Sequence, residues 1–324
     1  MTRLENVKRA ITMQNPSHVP MIYYNKDQEL SDVIVIEVVS QFHYRGEWRS
    51  EWGFEWESHD GTMGQPKEEL LKSWDDLSSL VPPDPHTPER FEHVAPVMEK
   101  YGEDRYYVAS LALTGFTIMS FLRGFGNIMM DFYEERENLE KLADIVFGFE
   151  AEVVRQLKGH GFHAAGFFDD WGTQSSLLIN PALWREIFKP RYEELFKLAH
   201  DNGLDVYFHC CGRIDEIIGD LIEAGVDMLN LSQPNLFDIE RLGAGYGGKV
   251  CFICPVSYQT TSITGTREDI IADVKRLVDN LGAHGGGLIG YLEEYSSIGL
   301  SDENYRNCAD AFRVLGRYGS ACDG

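Results

Sequence analysis

Apolar and polar positions alternate along this chain in two periods. Short runs rich in β-branched and aromatic residues recur throughout: "VPMIYY" (19–24), "VIVIEVV" (33–39), "RYYVASLAL" (105–113), "AAGFF" (164–168), "LDVYFH" (204–209), "DMLNL" (227–231), "VCFIC" (250–254) and "GLIGYL" (287–292). Their length and composition predict eight strands. Between most of them lie helix-period segments with recognisable ends. "PALWREIFKPRYEELFKLAHDNG" places Pro181 near its first turn and stops at Gly203, and "TREDIIADVKRLVDNLG" opens on Thr266. Thr2 and Glu5 form a T-x-x-E capping box for a helix ahead of the first strand, and Asn15-Pro16 ends it.

Strands alternating with helices eight times predict an α/β fold, a (β/α)8 TIM barrel with an N-terminal helix; the competing architecture is a doubly wound sheet. Residues 1–324 read as a single barrel domain. The stretch from about 40 to 104 breaks the rhythm with "EWRSEWGFEWESHDGTMGQP" and "VPPDPHTPERF". It is too long for a simple connection and reads as an insertion between the second and third strands, either an aromatic lid over one mouth or surface decoration.

Composition narrows the function. Lys plus Arg number 29 against 52 Asp plus Glu, a net charge of −23, which disfavours nucleic acid and anionic membranes as partners. No run is long and apolar enough for a membrane span, and the charged start "MTRLENVKRAITMQ" lacks a signal peptide's apolar stretch, so the expected location is cytoplasmic. Six cysteines, at 210, 211, 251, 254, 308 and 322, are too sparse for a disulfide scaffold and read as reduced thiols.

The candidate chemistry sits in "DVYFHCCGRIDE" (205–216). Strand alternation turns His209 and Cys211 to one side and Cys210 to the other, at a strand end where barrel enzymes carry their active sites. Imidazole and thiolate together suit Zn²⁺, which in catalytic sites takes three protein ligands and leaves one position open, so this pair needs a third partner. A buried cysteine beside a hydrogen-bonded histidine is the bland alternative. Cys251 and Cys254 spell C-x-x-C, but positions i and i+3 of a strand face opposite ways, and both read as core thiols. "GAGYGG" (243–248) fits G-x-G-x-x-G yet precedes a strand, which defeats a dinucleotide reading.

Asp169 and Asp170 end the fourth strand in "GFFDDWG". One could orient a metal ligand or act as an acid toward substrate, with helix capping the structural alternative; alternation makes Asp170 the weaker catalyst if Asp169 faces inward. Aromatics at the strand ends, Tyr23, Tyr24, Phe167, Phe168, Trp171, Tyr258, Tyr291 and Tyr295, could line a pocket for a flat substrate or pack as core. From these, Tyr23, Phe168, Trp171, Tyr258 and Tyr291 are the candidate substrate contacts.

"RLENVKRAITMQNPSHVP", "SEWGFEW", "FDDWG" before "INPALWREIFKPRYEEL", "FHCCG", "QTTSITGTREDI" and "HGGGLIG" together resemble the uroporphyrinogen decarboxylase superfamily over nearly the whole chain, and most closely its corrinoid-dependent zinc methyltransferase branch. The resemblance implies zinc held by His209 and Cys211 and by a cysteine after the eighth strand. Laying "GGYILSPGC" along "GGLIGYLEE" puts Glu294 in that cysteine's place, with Glu293 adjacent. A carboxylate oxygen is an acceptable zinc ligand and leaves the ion harder. The porphyrinogen decarboxylases carry a basic run after strand one, where this chain has "MIYYNKDQEL" with Lys26 alone.

The expected function is therefore a zinc-dependent O-demethylase component. It would move a methyl group from a methoxylated aromatic donor to the cobalt of a separate corrinoid protein, with a homodimer plausible from the resemblance. The alternatives are corrinoid-to-thiol methyl transfer, a decarboxylase, and a non-catalytic binding protein on a degenerate barrel.

Overall fold

Each strand's alternation divides its side chains between two cores. The computed structural model describes residues 1–58 and 64–318. The strands are β1 (Met21–Tyr23), β2 (Val33–Glu37), β3 (Trp56–Glu57), β4 (Gln65–Pro66), β5 (Tyr106–Leu113), β6 (Ala164–Phe168), β7 (Asp205–Cys210), β8 (Met228–Leu231), β9 (Cys251–Cys254) and β10 (Leu288–Leu292). Eight of them form one parallel sheet in the order β1-β10-β9-β8-β7-β6-β5-β2, with helices around it: a (β/α)8 barrel. All eight runs picked out in the sequence are strands of this sheet.

The two ends of the sheet, β1 and β2, are joined by side-chain and backbone hydrogen bonds. Met21 N donates to Asp32 Oδ2 at 2.8 Å, Tyr23 N to Ser31 Oγ at 2.8 Å, and Asp32 N to Met21 O at 2.8 Å. Inside the barrel, Ile22, Val33, Tyr106, Val108, Ala164, Tyr207, Met228, Cys251, Ile253 and Ile289 form one buried cluster, with Val35, Phe168 and Tyr291 at its edge. The opposite faces of the same strands, including Phe167, Phe208 and Phe252, pack with the helices in a second and larger cluster. This inner and outer sorting fixes which residues reach the mouth.

Local signals hold at the helix ends. Thr2 accepts from Glu5 N at 3.1 Å, Asn180 caps the helix that begins at Pro181, and Thr266 and Asp269 complete a capping box. The inserted segment after β2 holds the antiparallel pair β3–β4 and the helix Val94–Tyr101. Trp52, Phe54 and Trp56 are buried in it, against Phe149 at 5.3 Å and against Phe121 at 5.7 and 5.5 Å. These three aromatics anchor it to the flanking helices Gly115–Arg123 and Arg136–Leu157. Residues 59–63 of that stretch, and Cys322, lie outside the described residues. The five described cysteines are free thiols. Among the described residues, no helix is long and apolar enough to cross a membrane.

Candidate metal centre at the barrel mouth

Register places the site. Phe168 on β6 pairs with His209 on β7, His209 with Asn230 on β8, and Asn230 with Ile253 on β9, so four inward side chains share one layer. Two residues further along each chain, Asp170, Cys211 and Ser232 form the next layer, at the C-terminal mouth. Among the described residues, one group of three metal-binding side chains comes together: Asp170, His209 and Cys211, with donor atoms all within 4.8 Å of one another. His209 Nε2 lies 3.6 Å from Cys211 Sγ and 3.8 Å from Asp170 Oδ1. Ligand atoms of a tetrahedral zinc, at bond lengths of about 2.0–2.3 Å, sit roughly 3.3–3.8 Å apart, so this spacing fits the ion.

The imidazole is held with one nitrogen free for a metal. Asn230 Nδ2 donates to Ile253 O at 2.9 Å, which turns its Oδ1 toward His209 Nδ1 at 2.5 Å. An amide oxygen only accepts, so Nδ1 carries the proton and Nε2 presents its lone pair to Cys211 and Asp170. Burial opposes charge on the ring, but the Cys211 sulfur, Asp170 and the Asn230 oxygen outweigh it and raise the His209 pKa to about 9. Surroundings that favour a proton there also favour a cation.

The loops carrying the three donors are clamped together. Gly172 N donates to Cys211 O at 3.2 Å, and Cys211 N to Asp170 Oδ1 at 2.7 Å. A Cβ on Gly172 would lie 2.4 Å from Gly212 C and Arg213 N, and one on Gly212, where φ is +78°, 2.1 Å from Gly172 C and O. Only two glycines permit this approach. Ser232 Oγ stands 3.2 Å from Cys211 Sγ, on the side away from β6.

Several sequence expectations change here. Asp169 is fully buried on the outer side of the barrel, where it caps the helix Gly115–Arg123: Phe116 N and Thr117 N donate to it at 2.9 and 2.8 Å, together with Tyr192 OH and Thr117 Oγ1. Because Phe168 faces inward, alternation turns Asp169 out and Asp170 in, the reverse of the expected ranking. Glu294 lies beyond the end of β10, where its Oε1 accepts from Ser296 N at 2.9 Å, and it is not one of the clustered side chains. Trp171 is buried among Phe116, Trp184 and Phe188 and donates to Tyr192 OH at 3.0 Å, a core position. Tyr23 faces the outer layer, beside Phe312 and Arg313, and Tyr24 takes the inward place.

Phe168 stacks near His209 at 5.1 Å. Tyr24 and Tyr291 stack at 6.1 Å, and Tyr258 and Tyr295 meet at 4.7 Å. Tyr291 OH and Tyr295 OH both donate to Glu293 Oε2, at 2.8 and 2.7 Å. Asn230, which sequence reasoning passed over, and Glu293, which it left second to Glu294, are the further polar side chains beside the cluster. A lone asparagine inside the apolar run "DMLNL", level with His209, was the signal for the first.

Solved structures that the fold resembles include a methyltransferase from Methanosarcina mazei, with TM-score 0.71 and 14% identity over 97% of this chain and 99% of that one. They also include a 3-keto-D-glucoside 4-epimerase from E. coli (TM-score 0.45, 14% identity, 70% and 84% covered). A D-psicose 3-epimerase with D-tagatose from Clostridium cellulolyticum H10 is a third (TM-score 0.45, 10% identity, 91% and 94% covered). No curated protein matches the sequence. Residues 51–292 match the family model described as Uroporphyrinogen decarboxylase (URO-D), and the chain belongs to that family.

Proposed function

We propose that this protein is a zinc-dependent methyltransferase that takes a methyl group from a methoxylated aromatic donor and passes it to the cobalt of a corrinoid carried by a separate protein. The observation that supports it most is the nitrogen, sulfur and oxygen cluster of His209, Cys211 and Asp170 at the mouth, with the His209 tautomer set by Asn230. The shared barrel of the Methanosarcina mazei methyltransferase agrees with the reading.

In this reading His209, Cys211 and Asp170 hold the zinc, with Asp170 taking the oxygen-donor place that the sequence assigned to Glu294. Zinc bound there would supply Lewis acidity toward the ether oxygen of the donor. In the overall transfer the methyl carbon would pass to the nucleophilic cobalt of the partner's corrinoid as the C–O bond breaks with its electron pair left on oxygen, and the phenolate product would then gain a proton. The side chains of the mouth orient the donor: Phe168 offers a ring face beside His209, and Tyr258, hydrogen-bonded to Ser232, stands near Cys211. A decarboxylase of polycarboxylate porphyrinogens fits less well. Lys26, the sole cation of the strand-one loop, is paired with Asp302 at 2.8 Å, and the inward mouth positions 37, 170 and 293 hold Glu, Asp and Glu where such a substrate would need basic side chains.

The test measures zinc per chain and methyl transfer from a methoxyarene panel to a reduced corrinoid protein, for the wild type and for His209→Ala, Cys211→Ala, Asp170→Ala and Glu294→Ala. The expected result is loss of zinc and of transfer in the first three variants and retention in Glu294→Ala. Wild-type protein that takes up no zinc, or that transfers only to or from thiols, refutes the proposal.

A further inference from the structure

Two carboxylates at the mouth, Glu37 and Glu293, have no ion-pair partner among the described residues, whereas several elsewhere on this chain do. Asp220 binds Arg185 and Lys189, Asp131 binds Arg123, and Glu51 binds the buried Arg90. Glu293, by contrast, is half-buried, and its hydrogen bonds come from two phenols, Tyr291 and Tyr295. Glu37, at the inward end of β2, accepts from Gln41 N at 3.3 Å, and Asp170 faces His209. Among the described residues, neither Glu37 nor Glu293 lies within an ion pair of a lysine, arginine or histidine.

Aromatic rings surround this uncompensated charge. Tyr24 and Tyr291 stack as one pair, Tyr258 and Tyr295 meet as another, and Glu293 joins the two pairs through Tyr291 and Tyr295. Burial first, and then Glu293, push the Tyr24 phenol up to about 12; burial, then Cys211, with Glu293 and Asp170 adding to it, do the same for Tyr258. These phenols stay neutral, so each ring keeps its electron-rich face and no phenolate competes for a cation. Faces of neutral aromatics next to an unpaired carboxylate are the chemistry that recognises an ammonium group, a quaternary one above all. The −23 net charge of the chain adds long-range attraction of the same sign.

We infer that the mouth is built for a cationic donor, one that carries an ammonium group seated between the tyrosine rings and Glu293 while its methylated heteroatom reaches the Asp170, His209 and Cys211 cluster. This deepens the proposed function and rests on it for the second half of the statement; the cation site itself does not depend on methyl transfer. Glu37 and Glu293, two carboxylates without cationic partners at one mouth, would repel a methoxyarene bearing a carboxylate.

Binding to the full chain, measured by titration calorimetry in zinc-containing buffer, separates the possibilities. The probes are 4-methoxyphenethylamine, its neutral analogue 4-methoxyphenethyl alcohol, its anionic analogue 4-methoxyphenylacetate, and tetramethylammonium with sodium as the control cation. The amine should bind at least tenfold more tightly than the alcohol, the acetate should bind most weakly, and tetramethylammonium should compete with the amine where sodium at equal ionic strength does not. Glu293→Gln should bring the amine's affinity down to that of the alcohol and leave the alcohol's unchanged. Tyr24→Leu, at a partly exposed ring that folding can spare, should weaken amine and tetramethylammonium alike. Equal affinity for amine and alcohol, or an amine affinity indifferent to both substitutions, overturns the inference. Selective binding of the amine with no methyl transfer to reduced corrinoid protein supports the cation site and overturns the proposed reaction instead.

Discussion

Replacing Asn230 with alanine should loosen the proposed zinc site while leaving every proposed ligand in place. In the wild type the chain of constraint runs from Ile253 O to Asn230 Nδ2 at 2.9 Å, and from Asn230 Oδ1 to His209 Nδ1 at 2.5 Å. Without the amide, Nδ1 loses its acceptor, the two tautomers approach equal energy, and the ring is free to turn Nε2 away from Cys211 and Asp170. Loss of such an outer partner costs about 10–100-fold in metal affinity, or about 1.4–2.7 kcal/mol. Asn230 is 1% exposed, so the unpaired imidazole N–H adds a folding penalty of about 1–3 kcal/mol and lowers the melting temperature by several degrees.

The zinc effect is read by competition with a chromogenic chelator at fixed pH, and the folding effect by thermal melts of zinc-loaded and chelator-treated protein. Asn230→Asp separates the two contributions. It keeps an acceptor for Nδ1–H and makes it anionic, which preserves or tightens zinc binding, but it gives up the donor to Ile253 O and so still loses stability. If the alanine variant binds zinc as tightly as the wild type while His209→Ala does not, the tautomer argument is wrong. His209 would then bind through an orientation that owes nothing to β8.

Two further predictions follow from groups behind the site. Gly172→Ala must push backbone against backbone at Gly212, so it should cost on the order of 1–3 kcal/mol in stability and weaken zinc binding by separating Asp170 from Cys211; a variant with wild-type zinc affinity would show that the clamp is not needed. Glu150, buried behind the helix that Asp169 caps, is raised by burial to about 8 and is therefore protonated in the folded chain at pH values where the unfolded chain has already lost the proton. Stability should consequently fall as pH rises from about 4.5 to 8, by on the order of 4 kcal/mol in total. Glu150→Gln keeps the acceptor for Gly115 N and should match the wild type near pH 5, exceed it near pH 8.5, and leave a shallower slope below about 6 from Asp169; parallel melting curves at all pH values would contradict this.

The strands of this barrel were legible because apolar runs of strand length recur at even spacing between capped helices, and the pair His209 and Cys211 was legible because both lie on one strand and its immediate continuation, two residues apart. The third member of the cluster, Asp170, was harder for a physical reason. β6 reads "AAGFF", apolar on its inward and outward faces alike, so nothing in its pattern marks which parity enters the barrel. Asp169 and Asp170 inherit that ambiguity. It is settled by Phe167 packing on Phe196 outside and Phe168 on His209 inside. Glu294 failed for a related reason: its place depends on the turn after β10, and strand alternation along 289, 291 and 293 delivers Glu293 to the mouth while Glu294 bends back to Ser296. Trp171 sits where Gly172 and Gly212 let the two loops touch, a contact between segments about forty residues apart. Asn230 stood in plain view, since a buried amide inside an apolar strand requires partners on both its atoms, and at that depth in the barrel the partners are the neighbouring strands' Ile253 and His209.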